Sequence, residues 1–344
     1  MYLSQINNGN SKANKVYLIT GANGFVGQAL CKRMVSNGWQ VRGTVHNRPL
    51  AVSRLVGTEA IEIPSIDSKT DWSKALVGVD TVVHLAARTH VMREDSHDPL
   101  EAYRLINVAG TERLARSAGT SGVKRFIYLS SVKVIGEGKA EPYTELDIPA
   151  QEDPYGISKW EAEQVLHEIA DRTGLEVVVL RPPLVYGPGV KANFLRLLDL
   201  IYRGIPLPLA SVDNRRSFIY LENLVDAIVT CINNPKAAGQ TYLVSDGDNV
   251  STPELIRRVA AALGRPARLF PFPPALMRLG GGVFGKSAAM ERLLGSLTVD
   301  SSKIRRELQW KAPYTMMQGL KETAEWYLSV NKNMGSSENG NLTK

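Results

Sequence analysis

Short apolar runs alternate with stretches of helical period along the first half of the chain. Lys15-Val-Tyr-Leu-Ile-Thr20 reads as a strand. Gln28, Leu30, Cys31, Met34 and Val35 then mark a helix that stops at Asn37-Gly38. Further apolar runs predict strands at 40–45, 60–63, 80–87, 124–129 and 176–180, with helices over 71–76, 98–118 and 154–172. This alternation predicts an α/β fold, a doubly wound parallel (Rossmann) sheet with ligands at its carboxyl edge. After Arg181 the rhythm breaks at Pro182-Pro183 and Gly187-Pro188-Gly189. Helices follow at 193–203, 222–233, 252–263, 274–279, 287–294 and 315–329, with strands at 215–221 and 240–244. The predicted division is a nucleotide-binding domain at 15–181, to which 212–246 returns, and a smaller C-terminal substrate-binding lobe made of 182–211 and 247–330. The polar stretches 1–14 and 331–344 read as disordered tails.

Composition narrows the class. The 344 residues, 44% hydrophobic and 22% charged, suit a globular protein with an ample core. The two cysteines, Cys31 and Cys231, stand in apolar helical contexts and read as reduced core thiols, with no metal site. There is no signal-peptide pattern and no run of about 20 apolar residues, so the expectation is a cytoplasmic enzyme. The net charge of +7 comes without a basic cluster interleaved with aromatics. It suits phosphate-bearing small ligands and a solvated basic surface, not nucleic acid. The apolar, glycine-rich stretch 270–286, punctuated by Arg278 and Lys286, has two readings. It packs as an ordinary helix of the lobe, or it rests weakly on an anionic membrane surface.

Two motifs carry chemistry. Gly21-Ala-Asn-Gly24-Phe-Val-Gly27 lies between the first strand and the first helix, the context of a dinucleotide fingerprint. Its glycines let backbone N–H groups approach a pyrophosphate at the helix N-terminus. The second strand ends in His46-Asn47-Arg48, with no acid before Glu59 to bond a ribose 2′-hydroxyl. Arg42, Arg48 and His46 are offered as partners of a 2′-phosphate, which favours NADP(H), with NAD(H) as the alternative. Tyr155 and Lys159 are one helical turn apart, and Tyr155 is the only tyrosine with a lysine four residues on. An ammonium favours the phenolate, so the pair can move a proton to or from a sugar oxygen, with Ser131 at the end of the fifth strand holding that oxygen.

These residues, with His84-Leu-Ala-Ala87, Asn107-Val-x-Gly-Thr111, Leu129-Ser-Ser131 and Arg181-Pro, resemble the extended short-chain dehydrogenase/reductases, the nucleotide-sugar epimerase/dehydratase group, over about 15–329. The resemblance implies that Tyr155 is the acid/base, that Lys159 lowers its pKa and holds the nicotinamide ribose, and that Ser131 binds the reacting oxygen. It extends the cofactor set to Gly21, Asn23, Gly24, Phe25, Val26, Gly27, Ile66, Leu85, Ala86, Ala87, Asn107 and Pro182. It makes Arg88, Ser131, Lys133, Tyr155, Asn193 and Arg216 the contacts of a UDP-sugar substrate. It also implies a homodimer through helices 98–120 and 154–172. The chain departs from the group in several places. Val132-Lys133 stands where dehydratases carry an Asp-Glu pair, which excludes water elimination. Ile135 and Leu184 replace a tyrosine and an asparagine common in UDP-hexose 4-epimerases, and Ser65 replaces an adenine-contacting aspartate. The stretches 130–133, 153–159, 181–194, 214–218 and 294–303 look most like a bacterial branch of polysaccharide synthesis. That branch includes 4-ketoreductases that form UDP-N-acetylquinovosamine. The leading expectation is therefore a nucleotide-sugar 4-ketoreductase. The alternatives are a UDP-hexose 4-epimerase with tightly held NAD and a non-catalytic nucleotide-binding protein.

Overall fold

A computed structural model of the chain describes residues 15–46, 55–89, 98–136, 138–139, 141–151, 153–283 and 287–339. β1 (Val16–Thr20) is buried from Tyr17 onward, as a strand covered on both faces must be. In chain order the other strands are β2 (Gln40–Val45), β3 (Glu59–Glu62), β4 (Val79–His84), β5 (Arg125–Leu129), β6 (Glu176–Arg181), β7 (Leu184–Tyr186), β8 (Arg216–Tyr220), β9 (Thr241–Leu243) and β10 (Asn249–Val250). The main sheet has the order β3-β2-β1-β4-β5-β6-β9, seven strands in all, with parallel pairing from β3 through β6. The direction of winding reverses between β1 and β4, and such a switch point opens a crevice at the strands' carboxyl ends. The register sets Thr20, His84 and Tyr128 side by side at that edge.

The helices follow from local signals. α1 (Phe25–Ser36) starts at the glycine turn, and Gly38 (φ 76°) follows its end. α2 (Ser73–Leu76) is short, and α3 (Pro99–Arg104) runs through a π-helical turn, Leu105–Gly110, into α4 (Thr111–Thr120). α5 (Pro154–Thr173) has every terminal signal of a helix. Asp153 caps it by accepting from Gly156 N at 2.8 Å, Pro154 opens it, and Gly174 closes it at φ 73°. Leu114, Phe126 and Leu166 meet in the core between α4, α5 and the sheet, each fully buried. Burial on this scale contributes roughly 1.5–3 kcal/mol per side chain.

The chain divides into two compact units that differ from the predicted boundaries. The first comprises the chain up to Val134, Pro149–Arg181 and Ile228–Thr241. The second comprises Ile135–Ile148, Pro182–Ala227 and the chain from Tyr242 onward. The segment that returns to the first unit is 228–241, within the expected 212–246. Arg125 explains it: Nη1 donates to the carbonyls of Cys231, Ile232 and Asn234 at 2.7, 3.0 and 2.8 Å, while Nη2 pairs with Glu176 at 2.6 Å. Residues 135–148 were expected in the first domain. Their backbone instead pairs with 298–300, where Tyr143 N donates to Thr298 O and Asp300 N to Tyr143 O, both at 2.8 Å.

Within the second unit, β10, β8 and β7 form a small sheet. Its helices are α6 (Ala192–Tyr202), α7 (Leu221–Asn233, shared with the first unit), α8 (Thr252–Ala262), α9 (Pro274–Val283), α10 (Ser287–Leu294), α11 (Ser302–Leu308) and α12 (Met316–Asn339). β7, β10 and α11 are not among the elements expected from the sequence, and α12 runs ten residues past its predicted end into the stretch read as a tail. Phe270, Phe272, Leu276 and Leu279 are exposed, Arg278 pairs with Glu291 at 3.2 Å, and Lys286 lies outside the described residues. Among the described residues no helix is long and apolar enough to cross a membrane. The predicted tail 1–14 also lies outside them.

Candidate active site

The glycine turn is built around missing side chains. Gly21 has φ 65°, and a Cβ there would sit 2.9 Å from Ala86 N. A Cβ on Gly27 would come within 2.2 Å of Gly21 O and 2.8 Å of Ala22 Cα, so the start of α1 lies directly on the turn. Gly24 N donates to Gly21 O at 2.9 Å, and Gln28 Nε2 holds Asn23 O at 2.6 Å. The first turn of α1, which includes Phe25 and Val26, carries no side-chain cap and no acid. Its N–H dipoles suit an anion, and this side-chain-free cradle fits the pyrophosphate of a dinucleotide. Gly27→Ala is expected to force the helix off the turn. Over-packing of this kind costs about 1–3 kcal/mol, so a lowered urea midpoint together with weakened dinucleotide binding by calorimetry is the predicted result. Unchanged binding would show that the contact is not needed.

The end of β2 differs from expectation. Arg42 and Glu59 are cross-strand partners, with Arg42 Nε 2.9 Å from Glu59 Oε2 and Nη1 donating to the carbonyls of Ala75 and Val77 at 2.9 Å. The guanidinium is thus engaged through Nε and Nη1 between β2, β3 and the end of α2. His46 is exposed at the strand end, and Arg48 lies outside the described residues. Ile66 packs on the π turn, where a Cβ on Gly110 would come within 2.6 Å of its Cγ2.

At the end of β4, a line of hydrogen bonds fixes the backbone that the cofactor set included. Leu85 N and Ala86 N donate to Thr20 Oγ1 at 3.1 and 3.2 Å, and Thr20 Oγ1 lies 2.7 Å from His84 Nδ1. On its other side His84 Nε2 is 3.0 Å from Thr111 Oγ1, whose proton goes to Asn107 O at 2.7 Å. Thr111 therefore accepts from Nε2–H, and His84 is neutral. Burial, with the Lys159 charge second, pushes its pKa down to about 3. Asn107 bonds both backbone groups of Arg88, at 2.8 and 3.0 Å, and donates to Ser158 Oγ at 3.0 Å. Ser158 in turn donates to Tyr155 O at 2.9 Å. The Asn107 side chain thus ties the Arg88 segment, which follows Ala87, to the first turn of α5.

The structure places Ser131 against Tyr155 in the first unit, with Lys159 one turn further along α5. The Ser131 hydroxyl lies against the Tyr155 phenol and favours its ionised form, while burial and the Asp153 carboxylate hold the pKa of Tyr155 well above the usual phenol value. Tyr103 meets the Tyr155 ring edge-on at 6.1 Å. Lys159 is 2% exposed, with Nζ 4.1 Å from the centre of the Tyr128 ring. Burial pushes its pKa down to about 7, and Glu163 opposes that fall. Glu163 is itself fully buried. It accepts from Ser130 Oγ and pairs with Arg181, Nη2 to Oε2 at 2.5 Å and Nε to Oε1 at 3.1 Å. This support was missed in the sequence, although 155, 159 and 163 form one i, i+4, i+8 stripe on α5.

Lys133, expected to touch substrate, is ion-paired with Asp153. The second unit holds Pro182, Asn193 and Arg216. Asn193 is exposed at the start of α6, directly after Ala192, whose φ of 52° is unusual for a residue with a side chain. Arg216 Nη1 donates to Gly295 O at 2.9 Å.

Known proteins resemble this chain over most of its length. A UDP-glucose 4-epimerase of Vibrio cholerae is 46% identical over 327 residues, covering 94% of this chain and 98% of its own. An N-acetyl-alpha-D-glucosaminyl-diphospho-ditrans,octacis-undecaprenol 4-epimerase of Escherichia coli O157:H7 is 29% identical over 332 residues, 91% of this chain and 95% of its own. Among solved structures, a UDP-glucuronic acid 4-epimerase of Bacillus cereus in complex with UDP-glucuronic acid and NAD shares the fold. It aligns with a TM-score of 0.76 at 24% identity, covering 92% of this chain and 99% of that one. The NAD dependent epimerase/dehydratase family matches residues 17–245. With its glycine turn, its Ser131–Tyr155–Lys159 cluster and this match over most of its length, the chain belongs to that family.

Proposed function

We propose that this protein is a UDP-sugar 4-epimerase that works with NAD. The observation that carries the proposal is the 46% identity to a UDP-glucose 4-epimerase over nearly the full length of both chains. The intact Ser131, Tyr155 and Lys159 cluster supports it. So does the engagement of Arg42 Nε and Nη1 by Glu59 and the carbonyls of Ala75 and Val77, which leaves less of its guanidinium for a 2′-phosphate. The comparisons favour this reading over the expected 4-ketoreductase, which uses the same residues for a single reduction.

In the proposed reaction the Tyr155 phenolate takes the proton of the sugar 4-hydroxyl, and Ser131 steadies the oxygen as it becomes a carbonyl. Lys159 favours the phenolate by its charge. When bound, NAD supplies reversible hydride acceptance; the glycine turn and Lys159 would hold it. Tyr155 then returns the proton to the same oxygen once the sugar has presented its other face. The Lys133 position offers no carboxylate, so water elimination from the 4-keto sugar has no base there. A homodimer built on α3–α4 and α5 is part of the proposal.

The test uses the purified chain without added cofactor. Interconversion of UDP-glucose or UDP-N-acetylglucosamine with its C4 epimer, followed by NMR, together with NAD released on denaturation, is the expected result. NADPH consumption with a UDP-4-keto-6-deoxy sugar and no epimerisation would restore the reductase. Bound nucleotide with no turnover on either substrate would leave a nucleotide-binding protein.

A further inference from the structure

Lys133 helps to fasten the segment after β5 to the start of α5. The Lys133 ammonium is ion-paired with Asp153, with side chains 15% and 30% exposed. The Lys133 carbonyl oxygen lies 2.8 Å from where a Cβ on Gly156 would be. Its N–H donates to Ser131 Oγ at 3.3 Å. Asp153 is the N-cap of α5 and stands two residues before Tyr155. A cap needs only a side-chain oxygen, and Asn serves nearly as well as Asp. The charge of Asp153 is therefore surplus to capping, and it is placed where it holds a proton on a phenol that has to give one up.

We propose that Lys133 is a positioning residue for proton transfer: it neutralises Asp153 and so keeps the helix cap from locking Tyr155 in its protonated form, while its N–H holds Ser131 beside the phenol. This rests on the reading of Tyr155 as the acid/base. Among the described residues, the titratable and charged groups on the elements around Tyr155 are Asp153 and, one turn on, Lys159 from its own helix, Lys133 paired to Asp153 from the segment after β5, Tyr128 from β5, and Tyr103 from α3. Arg88 stands over the Tyr103 ring at 5.4 Å. The Tyr103 hydroxyl proton goes to Thr89 O at 3.0 Å, and the Tyr128 ring underlies Lys159. Asp153 already acts against ionisation of Tyr155, second only to burial. Without Lys133 that influence would grow.

The experiment compares Lys133→Met, Asp153→Asn, the double variant and Lys133→Arg, each with NAD. One readout is the pH dependence of epimerisation. The other is the Tyr155 resonance in 13Cζ-tyrosine-labelled protein, assigned by its absence from Tyr155→Phe. Lys133→Met is expected to leave about tenfold less phenolate at a given pH, which moves the rising limb of the rate about one pH unit upward. Asp153→Asn is expected to move both readouts the opposite way, the double variant to return near the native values, and Lys133→Arg to behave as native. Shifts in the same direction from both partners, or no shift, would overturn the proposal, as would a raised KM for Lys133→Met with an unmoved pH limb. If the resonance follows the expected pattern while no UDP-sugar is turned over, the epimerase reading falls and the pairing stands. Turnover without the pattern leaves the epimerase and removes the pairing.

Discussion

Tyr155→Phe is expected to lower turnover by at least about 10²-fold, the scale of general acid–base catalysis. The substitution removes one oxygen and leaves the ring. The edge-on contact with Tyr103 at 6.1 Å and the packing of α5 are retained. What is lost is the group that exchanges the proton of the sugar hydroxyl, together with its contact to Ser131. The glycine turn and Lys159 are untouched, so bound NAD should be recovered in the same amount as from the native protein. Burial and Asp153 hold the phenol's pKa up, so the native rate should rise with pH as the phenolate forms. Single-turnover rates with UDP-glucose, measured beside cofactor content, check both halves. Near-native turnover in this variant would remove Tyr155 from the reaction.

Lys159→Met is expected to abolish most turnover and yet yield a more stable protein. Lys159 is 2% exposed, and burial lowers its pKa from 10.5 to about 7. The unfolded chain keeps the ordinary lysine value. Between about pH 7 and 10.5 the unfolded state therefore holds a proton that the native state has released, and stability rises with pH across that window. Below about pH 7 both states are protonated, and the native state carries the full cost of burying the charge. At about 1.4 kcal/mol per pKa unit this cost is roughly 2–5 kcal/mol. Methionine has a similar length and no charge. Urea unfolding of the variant without cofactor should show that gain near pH 6–7, shrinking toward zero as the pH approaches 10.5. Equal or lower stability at pH 6–7 would show that the Tyr128 ring and Glu163 already compensate the buried charge. A gain coupled to lost activity would mark Lys159 as a residue kept for chemistry at the expense of stability.

Much of this site could be read from the chain because its parts are local. A strand, a turn of three glycines and a helix lie within 21 residues, and backbone geometry alone makes those glycines necessary. Tyr155 and Lys159 are one turn apart on a helix whose cap, opening proline and closing glycine are all visible in the sequence. The surroundings of Arg42 were illegible for the opposite reason. A basic residue on β2 looks available until the register of β2 on β3 puts Glu59 directly across from it. The place of residues 135–148 was illegible for the same reason, since the pairing of Tyr143 with Thr298 and Asp300 spans more than 150 residues and leaves no mark in local periodicity.

The sequence by itself determined the α/β alternation, the glycine turn between the first strand and the first helix, and the one-turn spacing of Tyr155 and Lys159, because each depends on contacts within one or two adjacent elements. Only the tertiary structure decided what surrounds that pair: the Glu163–Arg181 bond beneath Lys159, the Thr20–His84–Thr111 line behind the cofactor segment, and Lys133 turned to Asp153. These are contacts between side chains far apart in the chain. Their partners are chosen by strand order and register, which no local pattern encodes.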